Sequence, residues 1–348
     1  MPGAVLRDRR GFLLQATAAG AGLAVARSAT AGPAAAGGGE RLGPPKHVRT
    51  DVLQIAYHEA GPRDGQAVLL LHGFPYDVHS YVDVAPLLAA RGHRVIVPHL
   101  RGHGDTRFLD SKTPRSGQQA AIGTDVLALM DALDVRRAVV AGYDWGGRAA
   151  CIVAALWPER CLGLVSVNSY LIQDIAQSAR PAPARVERGL WYQFYLLTER
   201  GRAGLAANRR DIARIMWKDN SPTWQFDEAT FAQSAAAFDN PDYVDVVVHS
   251  YRHRLGAAPG HGAYQGIERR LAALPAIAVP AVTLDGASDG VVPATDGKST
   301  ARYFTAWRVH RQVPDVGHNL PQEAPAAFAD AVSEVARAGL AGQHASGP

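Results

Sequence analysis

Short apolar segments rich in β-branched residues alternate with longer alanine- and leucine-rich stretches along most of this chain, from about residue 51 onward. The apolar segments lie at 68–71, 95–97, 138–140, 164–167 and 281–284, and the helical stretches lie near 81–91, 118–133, 147–157 and 324–338. A strand that is apolar on both faces must be covered on both faces, and the intervening helices can supply that cover. The alternation therefore predicts an α/β fold, with a mostly parallel sheet and helices on both of its faces.

This alternation is interrupted between about residues 171 and 266. There, aromatic and charged residues recur at helical spacing, and no segment has the composition of a buried strand. We therefore predict a helical cap over residues 171–266, inserted into one core that is formed by residues 50–170 and 267–340. The flanking segments are predicted to be a flexible linker over residues 32–49, rich in glycine, alanine and proline, and a disordered tail over residues 341–348.

The composition excludes several classes of protein. Of the 348 residues, 47% are hydrophobic, which is incompatible with a disordered chain. The two cysteines, Cys151 and Cys161, are too few for a disulfide scaffold and lack the spacing of a metal or redox motif, and whether they pair is left open. The formal net charge is +4, but four arginines against one aspartate within residues 1–31 supply three of these charges. Because the rest of the chain is nearly neutral, no nucleic-acid partner is expected.

The amino terminus has the pattern of an export signal. Arg9 and Arg10 precede a weakly apolar stretch that ends at residue 26, and small residues follow at the usual cleavage spacing. The pattern looks like a twin-arginine signal peptide over residues 1–31, and its apolar part is shorter than the roughly 20 residues of a membrane span. We predict that the twin-arginine translocation machinery exports the protein to the periplasm or the medium, with cleavage after Ala31. The alternative is a disordered or short amphipathic tail.

The chemistry of the sequence centres on Asp144. An apolar segment runs into Gly-x-Asp-x-Gly at residues 142–146, and a helix is predicted to follow at once. This strand–turn–helix context presents the central side chain at a helix amino terminus, where free N–H groups favour negative charge. A carboxylate nucleophile attacks a carbon that carries a leaving oxygen or halide, and water must then hydrolyse the ester formed on the enzyme. The alternative is an aspartate that only caps the helix.

A second motif, His72-Gly73-Phe74-Pro75, directly follows the apolar segment 68–71. A loop at this place can aim the backbone N–H groups of Phe74 and Trp145 at a developing oxyanion. We therefore count His72, Phe74 and Trp145 as candidate oxyanion and substrate-binding residues. The alternative is a simple turn made by glycine and proline.

Asp289 and His318 are the candidate acid and base. Both follow predicted strands at the edge where open α/β sheets place their sites, and the chain order nucleophile, acid, base is that of the hydrolase elbow. His318 would activate the attacking water, and Asp289 would orient its ring and stabilise the imidazolium. Two alternatives stay open: Asp285 could be the acid, and His318 could be a surface or core residue.

Together these residues resemble the α/β-hydrolase superfamily and, within it, the epoxide hydrolases and their dehalogenase relatives. The matching motifs are the elbow at 142–147, the loop at 72–75 and the loop Leu100-Arg101-Gly102-His103-Gly104-Asp105. The resemblance covers about residues 50–340 and implies an α/β-hydrolase fold with a mostly parallel, eight-stranded sheet, an inserted cap, and neither a cofactor nor a metal ion. The chain departs from the family at Tyr143, where histidine is usual, and at His99, where aspartate is common.

The cap carries two tyrosines that the resemblance assigns to ring opening. Tyr192, followed by glutamine, and Tyr251, followed by arginine, match the cap segments of epoxide hydrolases. A tyrosine hydroxyl is protonated at neutral pH and can donate a hydrogen bond to a leaving alkoxide without adding charge. The alternative is that these aromatic residues only pack the cap against the core. Further candidates for the same role are Tyr195, Tyr243 and Tyr264.

The resemblance implies an epoxide hydrolase that converts an epoxide and water to a vicinal diol through a covalent ester on Asp144. One alternative is a haloalkane or haloacid dehalogenase with the same nucleophile. The haloalkane type has asparagine where Phe74 stands, and the fluoroacetate type has His-Trp where Gln193-Phe194 stands, so both matches are weaker. Trp145 is common to both activities and does not discriminate. Another alternative is a non-catalytic binding protein, which would have no use for a nucleophile, an acid and a base. Substrate size, stereochemistry and oligomeric state stay open.

Overall fold

The computed structural model describes residues 42–344. The predicted export signal, most of the predicted linker and the last four residues of the predicted tail lie outside these residues, and the predictions made for them remain predictions. Within residues 42–344, no helix is long and apolar enough to cross a membrane. Both cysteines are buried and free, so they do not pair with each other.

One sheet runs through the described part of the chain. Its strands are β1 (Lys46–Arg49), β2 (Leu53–Ala60), β3 (Gln66–Leu71), β4 (His93–Pro98), β5 (Arg107–Phe108), β6 (Ala138–Gly142), β7 (Cys161–Val167), β8 (Ala281–Gly286) and β9 (Arg308–Val313). The strand order is β1-β2-β4-β3-β6-β7-β8-β9, and β5 pairs with β2 beside this path. The pairs from β4 through β9 are parallel, whereas β1, β2 and β5 are antiparallel to their partners. The predicted mostly parallel sheet is confirmed, with the two-residue β5 added to the eight strands.

Helices alternate with these strands along the chain and follow the last of them. They are α1 (Val84–Ala90), α2 (Gln119–Ala132), α3 (Asp144–Leu156), α4 (Ala184–Gly189), α5 (Trp191–Leu197), α6 (Glu199–Ala207), α7 (Arg209–Asn220), α8 (Glu228–Ala235), α9 (Tyr243–Arg254), α10 (Gln265–Leu271), α11 (Leu320–Glu323) and α12 (Pro325–His344). Helices α1 and α12 pack on one another and on the sheet, and α2 and α3 form a second packed pair on the sheet. The central strands β6, β7 and β8 are completely buried between these layers, as their apolar sequences predict.

The structure corrects three boundaries. Strand β1 lies where the sequence predicted the end of a flexible linker, because its polar residues gave no strand signal although they pair with β2 at the sheet edge. Helix α12 continues to His344, so the first four residues of the predicted tail are helical. The predicted end of the cap at residue 266 falls inside α10, which packs against α2 of the core.

The segment between β7 and β8 contains helices α4 to α10 and no strand. Within it, α5 packs on α6 and on α9. This packing is apolar, since Tyr192 and Leu196 of α5 and Val247, Val248 and Tyr251 of α9 are all buried. The helix pair brings the two predicted ring-opening tyrosines, one from each helix, to the same place.

Candidate active site

Asp144 stands on a sharp turn between β6 and α3. Its φ of 50° is in the left-handed region, which costs a residue with a side chain about 1–3 kcal/mol. The turn is possible because its two glycines allow close approach of the backbone. A Cβ on Gly142 would lie 2.6 Å from the Gly146 carbonyl carbon, and one on Gly146 would lie 2.0 Å from the Leu71 oxygen. The strained conformation keeps the Asp144 carboxyl group clear of the sheet and partly accessible.

The two carboxyl oxygens of Asp144 have different surroundings. Oδ1 accepts a 2.8 Å hydrogen bond from the backbone N–H of Phe74, and Oδ2 lies 3.7 Å from Nε2 of His318. Burial by itself raises the pKa of this carboxyl group. The contact with His318, the charge of Arg148 and the Phe74 N–H outweigh burial and lower the pKa to about 2. Asp144 is therefore an ionised carboxylate at neutral pH, with Oδ2 the oxygen that is free of backbone donors.

His318 and Asp289 form the predicted pair. His318 Nδ1 lies 2.8 Å from Asp289 Oδ2, and the other oxygen of Asp289 accepts the N–H groups of Val291 and Val292. Asn168 adds a 3.2 Å bond to Oδ2, so the Asp289 side chain is completely buried and fully bonded. These donors hold the carboxylate beneath the imidazole. Nδ1 therefore carries the proton of this bond, and Nε2 faces Asp144.

The alternative acid, Asp285, contacts Thr295 and His310 rather than His318. Its Oδ2 accepts bonds from the N–H and hydroxyl of Thr295 and lies 3.7 Å from His310 Nε2. Asp285 is the next-to-last residue of β8, so its side chain stays with the sheet. The structure therefore places Asp289, and not Asp285, against His318.

Two negative neighbours act on His318. Burial lowers the pKa of its ring, but the charges of Asp289 and Asp144 outweigh burial and raise the pKa to about 10. In the resting protein the ring is therefore an imidazolium between two carboxylates. A neutral ring, which a general base requires, needs the loss of one of those charges.

The loop that carries His318 is held by residues that the sequence did not single out. The His318 N–H contacts Ser221 Oγ at 3.0 Å and the Asn220 carbonyl at 3.2 Å. Glu323 accepts bonds from the Ser221 hydroxyl and from the N–H groups of Gly317 and Asn319, all between 2.6 and 3.0 Å. Asn220 ends α7 and Ser221 follows it, so the cap supplies part of this support. In the sequence, the one feature that could have predicted this support is a glutamate five residues after the histidine.

The oxyanion motif is partly as predicted. The Phe74 N–H reaches Asp144, whereas the hydrogen bonds of residues 42–344 include none from the Trp145 N–H to this carboxylate. His72 is completely buried; its Nδ1 bonds the Gly73 carbonyl, and its Nε2 accepts the N–H of Leu100. Both ring nitrogens are thus used by the backbone, and the candidate role of His72 in substrate binding is corrected to shaping the loop.

The two cap tyrosines lie together above the Phe74 ring. The rings of Tyr192 and Tyr251 are 5.4 Å apart, and each lies within 6.2 Å of Phe74. The Tyr251 hydroxyl accepts a 3.2 Å bond from the Trp145 indole, and the Tyr192 hydroxyl accepts a 3.4 Å bond from Gln193. Burial and then neighbouring negative charge raise the pKa of Tyr192, and burial raises that of Tyr251 well above its ordinary value. Both phenols are therefore protonated, and the two hydroxyl groups lie close enough to hydrogen-bond with each other.

The further tyrosine candidates lie less favourably. The Tyr243 ring is 6.2 Å from Phe74, and its hydroxyl is buried without a partner in the described structure. The Tyr264 hydroxyl accepts a bond from Arg101, which in turn pairs with Asp125, so both belong to the support of a loop. Tyr195 packs its hydroxyl against Gly204 within the cap.

Two buried arginines near the site were not predicted. Arg148 follows Asp144 by four residues on α3, and Arg254 follows Tyr251 by three on α9. These spacings place each arginine one helical turn from a predicted site residue, and helical periodicity applied to Asp144 and Tyr251 could have found both.

Among the described residues there is no cluster of three or more side chains that could bind a metal ion.

Comparison with known proteins agrees with this geometry. A family model described as the alpha/beta hydrolase fold matches residues 66–325. The crystal structure of a "putative epoxide hydrolase" from Klebsiella pneumoniae is 51% identical, with a TM-score of 0.84 over 85% of this chain and 98% of that one.

Two curated relatives are named for different activities. The magnesium-chelatase 30 kDa subunit of Rhodobacter capsulatus is 30% identical over 268 residues, which are 76% of this chain and 85% of the relative. Epoxide hydrolase B of Mycobacterium tuberculosis is 34% identical over 151 residues, which are 40% of this chain and only 42% of that protein. The matched family model, the shared fold and the wide coverage show that this chain belongs to the α/β-hydrolase family, as the resemblance to its epoxide hydrolase and dehalogenase branch implied.

Proposed function

We propose that the protein is an epoxide hydrolase that forms a covalent ester on Asp144. The observation that carries the proposal is the arrangement of an ionised carboxylate below two buried, protonated tyrosines, with a histidine–aspartate pair on its other side. A carboxylate whose charge acts on two nearby phenol hydroxyls suits an electrophilic carbon bonded to a poor leaving oxygen. The names of two similar proteins support the same activity.

In the first half-reaction, Oδ2 of Asp144 attacks one epoxide carbon. A bond forms between Oδ2 and that carbon while the bond from the carbon to the epoxide oxygen breaks. The oxygen leaves with the electron pair and takes a proton from Tyr192 or Tyr251, whose hydroxyl oxygens are steadied by the N–H groups of Gln193 and Trp145. The product is a hydroxyalkyl ester of Asp144.

Ester formation prepares the second half-reaction electrostatically. The esterified Asp144 has lost the negative charge that lay 3.7 Å from His318 Nε2, so the pKa of His318 falls. The imidazolium then becomes neutral by releasing its proton, which restores the hydroxyl of the tyrosine deprotonated in the first half-reaction. His318 then removes a proton from water while Asp289 stabilises the imidazolium. The hydroxide attacks the carbonyl carbon of the ester, the Phe74 N–H stabilises the oxyanion, and the diol leaves. One oxygen of the regenerated carboxylate then comes from water.

The origin of the oxygen tests this mechanism. In a single turnover in heavy-oxygen water, mass spectrometry of the active-site peptide should find the label in Asp144, and the diol should carry none. Label in the diol alone would contradict a covalent ester. Under the same proposal, His318→Gln should trap the ester as a mass increase equal to the epoxide, and Asp144→Asn should show no such adduct.

The dehalogenase alternative uses the same nucleophile but needs donors for a halide. The indole N–H of Trp145, a candidate halide donor, is bonded to the Tyr251 hydroxyl. This bond favours the assignment of Trp145 as support for the cap tyrosine. A panel of aromatic, terminal and fatty epoxides should therefore yield diols, and haloalkanes and haloacids should release no halide. Halide release without diol formation would favour the alternative, and ligand affinity without any turnover would favour a binding protein.

A further inference from the structure

Two arginine side chains are buried near the candidate active site. Arg148 is 8% exposed and Arg254 is 9% exposed. Within residues 42–344, neither forms an ion pair. Nε and Nη2 of Arg254 have no hydrogen-bond partner, and Arg148 forms a single hydrogen bond, from Nε to the Leu171 carbonyl.

Burying cations in this way is unfavourable, since a guanidinium removed from water needs acceptors for its N–H groups. The two cations also act on each other. Burial first, and then the charge of Arg254, lower the pKa of Arg148 to about 9. Arg101, which is buried to the same degree, shows the usual arrangement, because it forms a bidentate pair with Asp125. Neither Arg148 nor Arg254 has such a pair in the described part of the chain. The charge of Asp144 acts on Arg148. Arg254 is therefore the buried cation that an additional anion would neutralise.

The position of these arginines connects them to the reaction. The Arg254 guanidinium lies 5.1 Å from the centre of the Tyr251 ring, and Arg148 lies one helical turn after Asp144. The charge of Arg254 acts on both cap tyrosines. An anion held by Arg254 would therefore lie close to the Tyr251 ring.

A cleft opens beside Arg254. It has a volume of about 580 Å³, and its lining includes Arg254, Gln193 and the exposed ring of Phe194. Gln193 contacts the Tyr192 hydroxyl, so the cleft wall includes direct neighbours of both tyrosines. The cleft is also lined by Asp174 and Glu187, but neither lies within ion-pair distance of Arg254.

We propose that the substrate carries a carboxylate, which binds Arg254 while the reactive carbon faces Asp144. The planar guanidinium of Arg254 has two unused N–H groups, the number that one carboxylate accepts in a bidentate pair. The inference rests on the proposed function for the epoxide end of the molecule, whereas the carboxylate end follows from Arg254 alone.

A matched pair of substrates tests the proposal: an epoxy acid and its primary amide, which has nearly the same shape and no charge. The wild-type kcat/KM for the acid should exceed that for the amide by about 10- to 100-fold, the range expected for charged hydrogen bonds. Arg254→Gln should bring this ratio close to one, and Arg254→Lys should keep part of it. Arg180→Gln, which removes an exposed arginine from the same cleft, should leave the ratio as in the wild type.

Binding to the inactive Asp144→Asn variant separates this inference from the proposed function. Calorimetry should show that the acid binds more tightly than the amide and that adding Arg254→Gln abolishes the difference. If this holds while the wild type hydrolyses neither compound, the epoxide assignment fails and the carboxylate site stands. If the wild type hydrolyses both compounds equally well, or if Arg254→Gln keeps the preference, the carboxylate proposal is overturned and the epoxide hydrolase stands.

Discussion

Asp144 and His318 carry opposite charges, with Oδ2 and Nε2 3.7 Å apart, and each shifts the pKa of the other. The carboxylate has a lowered pKa and the imidazole a raised one, although burial alone would move both in the opposite direction. The resting pair is therefore a carboxylate and an imidazolium, the right state for attack but the wrong state for activating water. Under the proposed mechanism, alkylation of Asp144 removes the negative charge of the pair and lowers the pKa of His318.

This coupling predicts that the two half-reactions differ in pH dependence. Alkylation requires an ionised Asp144 and protonated tyrosines. Because the pKa of Asp144 is about 2 and those of the tyrosines are raised, its rate should be nearly constant between about pH 4 and pH 9. Ester hydrolysis requires a neutral His318, so its rate should rise with pH up to the pKa of the ring in the ester, which lies below the resting value of about 10. Stopped-flow measurement of both steps checks this. If the rates of both steps fell together as the pH is lowered, the prediction would be contradicted.

The cap tyrosines should act on alkylation alone. Tyr251→Phe or Tyr192→Phe removes one proton donor for the leaving oxygen, and each should slow alkylation by about 100-fold, with the double variant slower still. The hydrolysis of the ester should keep its rate, since the alkoxide is already protonated. Burst kinetics measure both rates. Tyr195→Phe, on the same helix but outside the site, is the control and should behave as the wild type; equal effects on both steps would mean that the tyrosines act structurally.

At the scale of elements, the carboxyl ends of β3, β6, β8 and β9 bring the site together. These strands are neighbours or near neighbours in the sheet, so the loops that follow them meet although they are far apart in sequence. The loops after β3 and β6 supply Phe74 and Asp144, and those after β8 and β9 supply Asp289 and His318. The cap then closes this group from above with α5 and α9.

Glu323 is a positioning residue for the loop after β9. Glu323→Gln replaces one acceptor oxygen by an amide nitrogen, so it should loosen the bonds to Gly317, Asn319 and Ser221 and destabilise the fold by about 1–3 kcal/mol. We expect ester hydrolysis to slow by roughly 10-fold, as expected when a general base is misplaced, while alkylation persists.

Denaturant unfolding and burst kinetics measure these effects separately. Glu334→Gln is the matched control, because Glu334 forms a largely exposed pair with Arg311 and its loss should cost less than about 1 kcal/mol. An unchanged ratio of the two rates in Glu323→Gln would show that the glutamate contributes only to stability.

At the scale of the whole molecule, strands and site residues could be predicted wherever a single segment of the sequence has a recognisable pattern of its own. The buried strands β6, β7 and β8 were predicted because their apolar runs have no polar face. Strand β1 was missed because an edge strand needs only backbone pairing, and its side chains are mostly exposed. The proximity of Asp144, Asp289 and His318 was predictable because each stands in a loop of known type. Arg254 and Glu323 were missed because their meaning depends on how the cap and the last loop pack, which no local pattern records.

Export concerns the amino-terminal residues, which lie outside the described structure, and rests on the sequence alone. We predict that the full-length chain, expressed in a bacterium with a twin-arginine pathway, is found in the periplasm or medium without residues 1–31. Changing both Arg9 and Arg10 to lysine should leave it in the cytoplasm at its full length. Fractionation and mass spectrometry of the amino terminus check both points, and unchanged export of the lysine variant would contradict the prediction.

The end of α7 in the cap is hydrogen-bonded to the two loops that carry Asp289 and His318. The Asn220 carbonyl accepts the N–H of His318 and also that of Gly290, the residue after Asp289, and Ser221 adds a bond to the His318 loop. A family member's cap grafted onto this core would therefore need equivalent acceptors at the same place, or it would misalign the base while leaving the nucleophile intact. Under the proposed mechanism, such a chimera would form the ester on Asp144 once and would not hydrolyse it, so the substrate would act as an irreversible inhibitor.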